Sequence, residues 1–136
     1  TSPIAIDRST PVRALDRLLR QGREKLAEGR WVVIFPEGTR MAPGEQGAFH
    51  PGGAMLAVKA GVDVLPVAHD AGRYWARRGF VKKPGLIRVR IGPPIRTEAK
   101  KARAVNDEAR DWIEGTMAAL LGAPEKPVDP KKEKVA

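Results

Sequence analysis

Five apolar residues in a row, Trp31-Val32-Val33-Ile34-Phe35, constrain this chain more than any other feature. They stand between Gly29-Arg30 and Pro36. An uninterrupted apolar run of that length, bounded by turn residues, reads as a strand covered on both faces. Such a strand needs helices above and below its sheet, and the neighbouring sequence supplies them. Thr10-Pro11 reads as a helix start, a capping hydroxyl followed by proline at the first helical position. Val12, Leu15, Leu18, Leu19 and Leu26 then recur on one face, and Gly29 ends that helix as a left-handed cap.

The same alternation continues. Residues 3–6, PIAI, read as a short strand, residues 53–60 as a short helix ending at Gly61, and residues 62–68, VDVLPVA, as another buried strand. Ile87, Val89 and Ile91 alternate with Arg88 and Arg90, the pattern of a strand with one wet face. A final helix is expected over 98–121, with Ala102, Val105, Ala109, Trp112, Ile113, Thr116 and Leu120 on its inner face. The Pro/Lys/Glu-rich tail, 122–136, is expected to be disordered. The fold class is therefore α/β, with a largely parallel sheet and flanking helices in one domain, 1–121. In such a sheet the segments after strands 3–6, 31–35 and 62–68 leave along one edge, where ligands of open α/β sheets bind. Arg8, the run Pro36 to Arg40 and the surroundings of Pro66 to Asp70 are thereby expected to converge.

Composition narrows the chemistry. The chain of 136 residues has 25 Lys+Arg against 16 Asp+Glu, a formal charge of +9, which favours anionic partners. It has no cysteine, which excludes disulfides, a thiol nucleophile and cysteine-ligated metal. No cluster has metal-ligand spacing. Aromatics make up 5%, too few for a base-stacking platform, and no base-readout motif accompanies the charge, so nucleic acid is not the expected partner. Gly47 to Gly52 has phosphate-loop glycine spacing, but Gly53-Ala54 stands where lysine and a hydroxyl are required. No apolar run is long enough to span a bilayer.

The Phe35-Pro36-Glu37-Gly38-Thr39-Arg40 segment carries the strongest chemical signal. Arg8 and Arg40 offer guanidinium forks for a phosphate, Gly38 lets backbone N–H groups approach it, and Thr39 adds a hydroxyl. Glu37 is suited to orienting an arginine or accepting from a substrate hydroxyl. A plain capped turn with a Glu–Arg ion pair is the competing reading, and composition leaves both open.

The residues also carry a family resemblance. FPEGTR resembles the third sequence block of the glycerolipid acyltransferases, the lysophosphatidic acid acyltransferases among them. Ile6-Asp7-Arg8 resembles the second block and Val64-Leu65-Pro66-Val67 the fourth, in the right order. The likeness continues through RYWARRGFVKKPG and Ile91 to Ile95, covering about residues 3–121. It implies transfer of a fatty acyl group from acyl-CoA or acyl carrier protein to the free hydroxyl of lysophosphatidic acid, giving phosphatidic acid, with no cofactor. Arg8 and Arg40 would cradle the phosphate, Glu37, Gly38 and Thr39 would shape the pocket, and Pro36, His50, Leu65 and Pro66 would line it. It further implies a membrane-associated enzyme, at the cytoplasmic face of the inner (plasma) membrane.

One block of the pattern is missing. The family's general base is the histidine of a His-x-x-x-x-Asp motif, supported by its aspartate. Here Met55 lies five residues after His50 and Tyr74 five after His69, so neither histidine fits. The chain resembles the C-terminal part of the domain, N-terminally incomplete and without its catalytic pair. His69 followed by Asp70 remains an acid–base candidate in its own right, since an adjacent carboxylate favours the protonated imidazole. Finally, Tyr74, Trp75, Arg77, Arg78, Lys82 and Lys83 form a basic, aromatic stretch suited to a lipid headgroup layer. Two other functions fit that stretch: a non-catalytic module docking on acidic membrane, or acylation of a different lysophospholipid.

Overall fold

The computed structural model describes residues 4, 10–45, 47–75 and 79–122. Arg8, Arg77, Arg78, the tail from 123 and, apart from Ile4, the strand expected at 3–6 lie outside the described residues. Helix α1 (Pro11–Ala27) is followed by an extended stretch and the Pro36 to Pro51 loop, then by α2 (Gly52–Ala60). Strand β1 (Val67–His69) leads into a short 3₁₀ turn (Ala71–Arg73); β2 (Val89–Ile91) and α3 (Ala102–Gly122) complete the order.

The helices form where their local signals stand. Thr10 has extended dihedrals and Pro11 opens the first turn, although the Thr10 hydroxyl makes no capping bond to it. At the other end Gly29 N–H donates to Leu26 O and Arg30 N–H to Lys25 O, a left-handed termination that satisfies two orphan carbonyls. Helix α1 lies close on α2, because Gly22 is buried against Leu56 and Gly52 lies against Leu18. Val12, expected on the inner face of α1, is exposed instead. Behind α2, Ala54, Ile95, Val105 and Ala109 make the core, with Val58, Val64 and Ala102 packed around it. The inner face expected for α3 is the one observed: Val105, Ala109 and Leu120 are buried, and Ala102, Trp112, Ile113 and Thr116 are partly so.

The sheet differs from expectation. Among the described residues it has two strands, and they are antiparallel: Val67 pairs with Ile91, Ala68 with Arg90 and His69 with Val89. A further antiparallel bridge joins Val64 and Ile95 through reciprocal hydrogen bonds of 3.0 and 2.8 Å. The expected strand 62–68 is thus shortened to 67–69 plus this bridge. The cause lies in the connection. Among the described residues between the two strands there is a 3₁₀ turn and loop rather than a crossover helix, and the returning segment pairs antiparallel with β1.

Trp31 to Phe35 is extended but joins no strand pair among the described residues, and it is not covered on both faces. Trp31, Val33 and Phe35 are 83, 77 and 72% exposed. Val32 and Ile34 are partly buried, and Ile34 lies against Gly53 at the start of α2. The run therefore follows the two-residue period of extended backbone despite its uniform apolarity. Leu65, Val67, Val89 and Ile91 are likewise open on one face, while Pro66 and Ala68 turn inward.

Candidate functional site

The loop after Phe35 is a tight, pinned turn. Pro36 presets the first bend, and Gly38 N–H closes it on Phe35 O at 3.0 Å. Gly38 has φ +64, a left-handed conformation that a side chain disfavours. His50 N–H donates to Pro36 O at 2.9 Å, bringing the two ends of the loop together. The His50 ring then lies over Gly38, with Cδ2 3.5 Å and Nε2 3.8 Å from where a Cβ would stand. Farther along, Glu45 accepts from Ala42 N–H at 3.2 Å, and Pro43 and the Met41 carbonyl abut Gly72 in the 3₁₀ turn. Gly38, Thr39 and Arg40 are left exposed at the tip.

Glu37 and Arg40 do not pair, so the Glu–Arg ion pair of the competing plain-turn reading is absent among the described residues. Glu37 is partly buried and lies within electrostatic range of Glu114 on α3 and His69 at the end of β1. Burial pushes its carboxyl above the ordinary value, repulsion from Glu114 adds to this, and His69 pulls it back. Arg40 holds its guanidinium 5.6 Å from the centre of the Trp75 ring. Lys82 holds its ammonium 4.4 Å from the same centre. Both distances fall in the range of cation–π attraction. Tyr74 and the 82–85 segment are held together: Lys83 N–H donates to Tyr74 O at 2.8 Å, and the Tyr74 ring lies directly on Gly85.

Asp70 has a different partner from the one its neighbour implied. It is buried, and its carboxylate accepts from Arg88 N–H and Arg88 Nε, both at 2.7 Å. Burial alone would raise the carboxyl, but these two bonds and the Arg88 and Arg73 charges outweigh it and hold Asp70 below its ordinary value. Arg88 also donates to Leu120 O at 2.7 Å, and Arg73 donates to Leu121 O. The pair thus ties β1, β2 and the end of α3 together. The reading of Asp70 as the support of His69 is corrected: its lone pairs are used on Arg88, and His69 Nδ1 faces Ala71 N–H at 3.4 Å.

Of the sequence-derived residues, Pro36, Glu37, Gly38, Thr39, Arg40 and His50 belong to one loop closed on itself. Tyr74, Trp75, Lys82 and Lys83 form the neighbouring fold-back, joined to it through Trp75. Pro66 is buried against Gly92 beside Trp112, and Leu65 is partly open on the far face of the sheet. Glu114 and Arg88 were not singled out from the sequence. Both lie far along the chain from their partners, and only the alternating Arg88/Arg90 pattern gave any sign. No group of three His, Cys, Asp or Glu side chains suited to a metal is present among the described residues. Among the same residues, no helix is long and apolar enough to cross a membrane.

Three comparisons bear on this arrangement. Residues 1–70 match the Acyltransferase family model. The chain is 51% identical to a 1-acyl-sn-glycerol-3-phosphate acyltransferase of Pseudomonas aeruginosa, over 87% of this chain and 47% of that protein. It is 33% identical to the alpha form from Mus musculus, over 70% of this chain and 34% of that one. The crystal structure of the 1-acyl-sn-glycerophosphate acyltransferase PlsC from Thermotoga maritima superposes with a TM-score of 0.72 at 28% identity, covering 79% of this chain and 46% of the other. The chain spans about half the length, or less, of these relatives.

Proposed function

Because the chain belongs to the acyltransferase family, we propose that it forms the phosphate-gripping part of a 1-acyl-sn-glycerol-3-phosphate acyltransferase. The observation that carries this reading is the pinned 36–40 turn, which presents an exposed guanidinium, a hydroxyl and left-handed glycine backbone together. Arg40 holds the phosphate of lysophosphatidic acid, joined by Arg8 on the strength of the family resemblance alone. Gly38 and Thr39 supply N–H and O–H donors, and His50 walls the turn.

In the complete enzyme the histidine of a His-x-x-x-x-Asp pair removes the proton from the lysophospholipid hydroxyl. The hydroxyl oxygen attacks the thioester carbonyl of acyl-CoA or acyl carrier protein. Collapse of the tetrahedral adduct breaks the C–S bond, and the departing thiolate takes up the proton. The phosphate grip contributes by fixing the glycerol hydroxyl relative to that carbonyl. The 136-residue chain has no such pair, so it binds without turning over. The enzyme works at a membrane surface, at the cytoplasmic face of the inner membrane. Support comes from Phe80 and Val81, 103 and 78% exposed and followed by Lys82 and Lys83, an apolar tip over cations suited to a headgroup layer.

Calorimetric titration with short-chain lysophosphatidic acid, below its micelle concentration, tests the grip. Arg40→Ala should weaken binding by about ten- to a hundred-fold, the value of a charge-assisted hydrogen bond. Undiminished binding, or acyl transfer by this chain alone, would refute the reading.

A further inference from the structure

The basic aromatic fold-back has a second role beyond facing lipid. We propose that Lys82 is a direct phosphate ligand beside Arg40, and that Trp75 is the positioning residue that holds both cations, making the site selective for a phosphomonoester over a phosphodiester. This rests on the phosphate-gripping reading of the 36–40 turn and adds to it the residues that set charge selectivity.

Four observations support it. The two cations reach the same ring, at 5.6 and 4.4 Å from its centre, although they come from segments far apart in sequence. Each segment is fixed independently. Packing of Pro43 and the Met41 carbonyl on Gly72 sets the Arg40 side, and the Lys83–Tyr74 hydrogen bond sets the Lys82 side. Neither Arg40 nor Lys82 has a carboxylate partner among the described residues. The carboxylate nearest to Arg40 in sequence, Glu37, makes no ion pair with it. Two cations without a carboxylate partner, both brought to one ring, make that neighbourhood attractive to an anion. Trp75 itself is half exposed, so the ring is a platform open to a ligand rather than a core residue.

The charge arithmetic gives the selectivity. A phosphomonoester carries close to two negative charges at neutral pH, its second pKa being about 6, and has three free oxygens. A phosphodiester carries one charge and has two such oxygens. The guanidinium grip, Arg40 with Arg8 as the resemblance has it, can hold either ester; the charge that Lys82 adds is worth more against the doubly charged monoester. Lys82, a compact point charge, adds attraction without fixing orientation, while Arg40 supplies the directed fork.

The test measures dissociation constants for short-chain lysophosphatidic acid and for its phosphate methyl ester, using the full chain and circular dichroism to confirm folding. The wild type should prefer the monoester by about tenfold. Lys82→Gln should lose most of that preference by weakening the monoester alone about tenfold, and Lys82→Arg should keep it. Trp75→Ala should weaken the monoester severalfold, with Trp75→Phe recovering most of the loss because a ring face remains. An unchanged preference in Lys82→Gln, with Arg40→Ala still damaging, overturns this proposal and leaves the grip standing. A loss in Lys82→Gln that is equal for both ligands, and matched on anionic vesicles of any headgroup, assigns Lys82 to the membrane surface and also overturns it. If Arg40→Ala changes nothing, both readings fail.

Discussion

Removing the Asp70 carboxylate is the sharpest perturbation of the frame that holds the site. It is buried and accepts two hydrogen bonds of 2.7 Å from Arg88, whose guanidinium also reaches Leu120 O. Breaking a fully buried ion pair by deleting one partner costs about 3–5 kcal/mol. The Arg88 side chain is 25% exposed and keeps its bond to Leu120 O, so water recovers part of the loss. Asp70→Ala should therefore cost about 2–3 kcal/mol. Asp70→Asn keeps an oxygen for Arg88 N–H and loses the charge-assisted bond, about 1.5–2 kcal/mol. Urea unfolding followed by circular dichroism gives both values from the shift in midpoint at unchanged slope. The pH dependence adds a second check. Asp70 sits below its ordinary value in the folded chain, so its stabilisation is present above the unfolded carboxyl pKa of about 3.9 and is lost as pH falls through the folded value. Asp70→Asn should flatten that acid limb. A cost under about 0.5 kcal/mol for Asp70→Ala would mean the pair is no better than a surface bridge, and the reasoning would be wrong.

Gly22→Ala gains about 1 kcal/mol of helix propensity, but its Cβ would stand 2.9 Å from Leu56 Cδ1 and closer to Cδ2, against a side chain that is 2% exposed. Overpacking of about 1–3 kcal/mol should win, so the urea midpoint should fall, and a double-mutant cycle with Leu56→Ala should show strong coupling. Gly38→Ala has room beside His50, so its penalty is the backbone at φ +64, about 1 kcal/mol, seen as a melting point lower by a few degrees. Glu37 is raised by burial first and by Glu114 second, so the chain loses stability as pH rises through that folded value. Glu37→Gln should raise the urea midpoint at pH 7 and leave it nearly unchanged at pH 4.

The parts legible in the sequence were those whose hydrogen bonds close locally. Gly29 and Gly61 mark helix ends because the left-handed turn is a property of a few adjacent residues, and both have positive φ. The apolar spacing of α3 gives its buried face directly. Strand pairing is non-local, and the local pattern does not specify the partner. The apolar run VDVLPVA has the pattern of a buried parallel strand, yet its partner is the antiparallel Val89–Ile91 segment that returns beside it. WVVIF illustrates the limit of composition: five apolar side chains say nothing about which two turn inward, and Ile34 is selected by Gly53 on another element. At the site, the turn chemistry of Pro36 and Gly38 was visible in six letters. The meeting of Arg40 and Lys82 on Trp75 was not, because it depends on how two loops are pinned to the 3₁₀ turn between them.

The central claim is that the 36–40 turn holds the phosphate. Amide-resolved NMR of the labelled chain, titrated with short-chain lysophosphatidic acid and separately with the monoacylglycerol that lacks the phosphate, tests it directly. The account predicts that the Gly38 and Thr39 amides and the Arg40 Nε–H respond to the first ligand and not to the second. Responses confined to Phe80 through Lys83, or identical for both ligands, would contradict it.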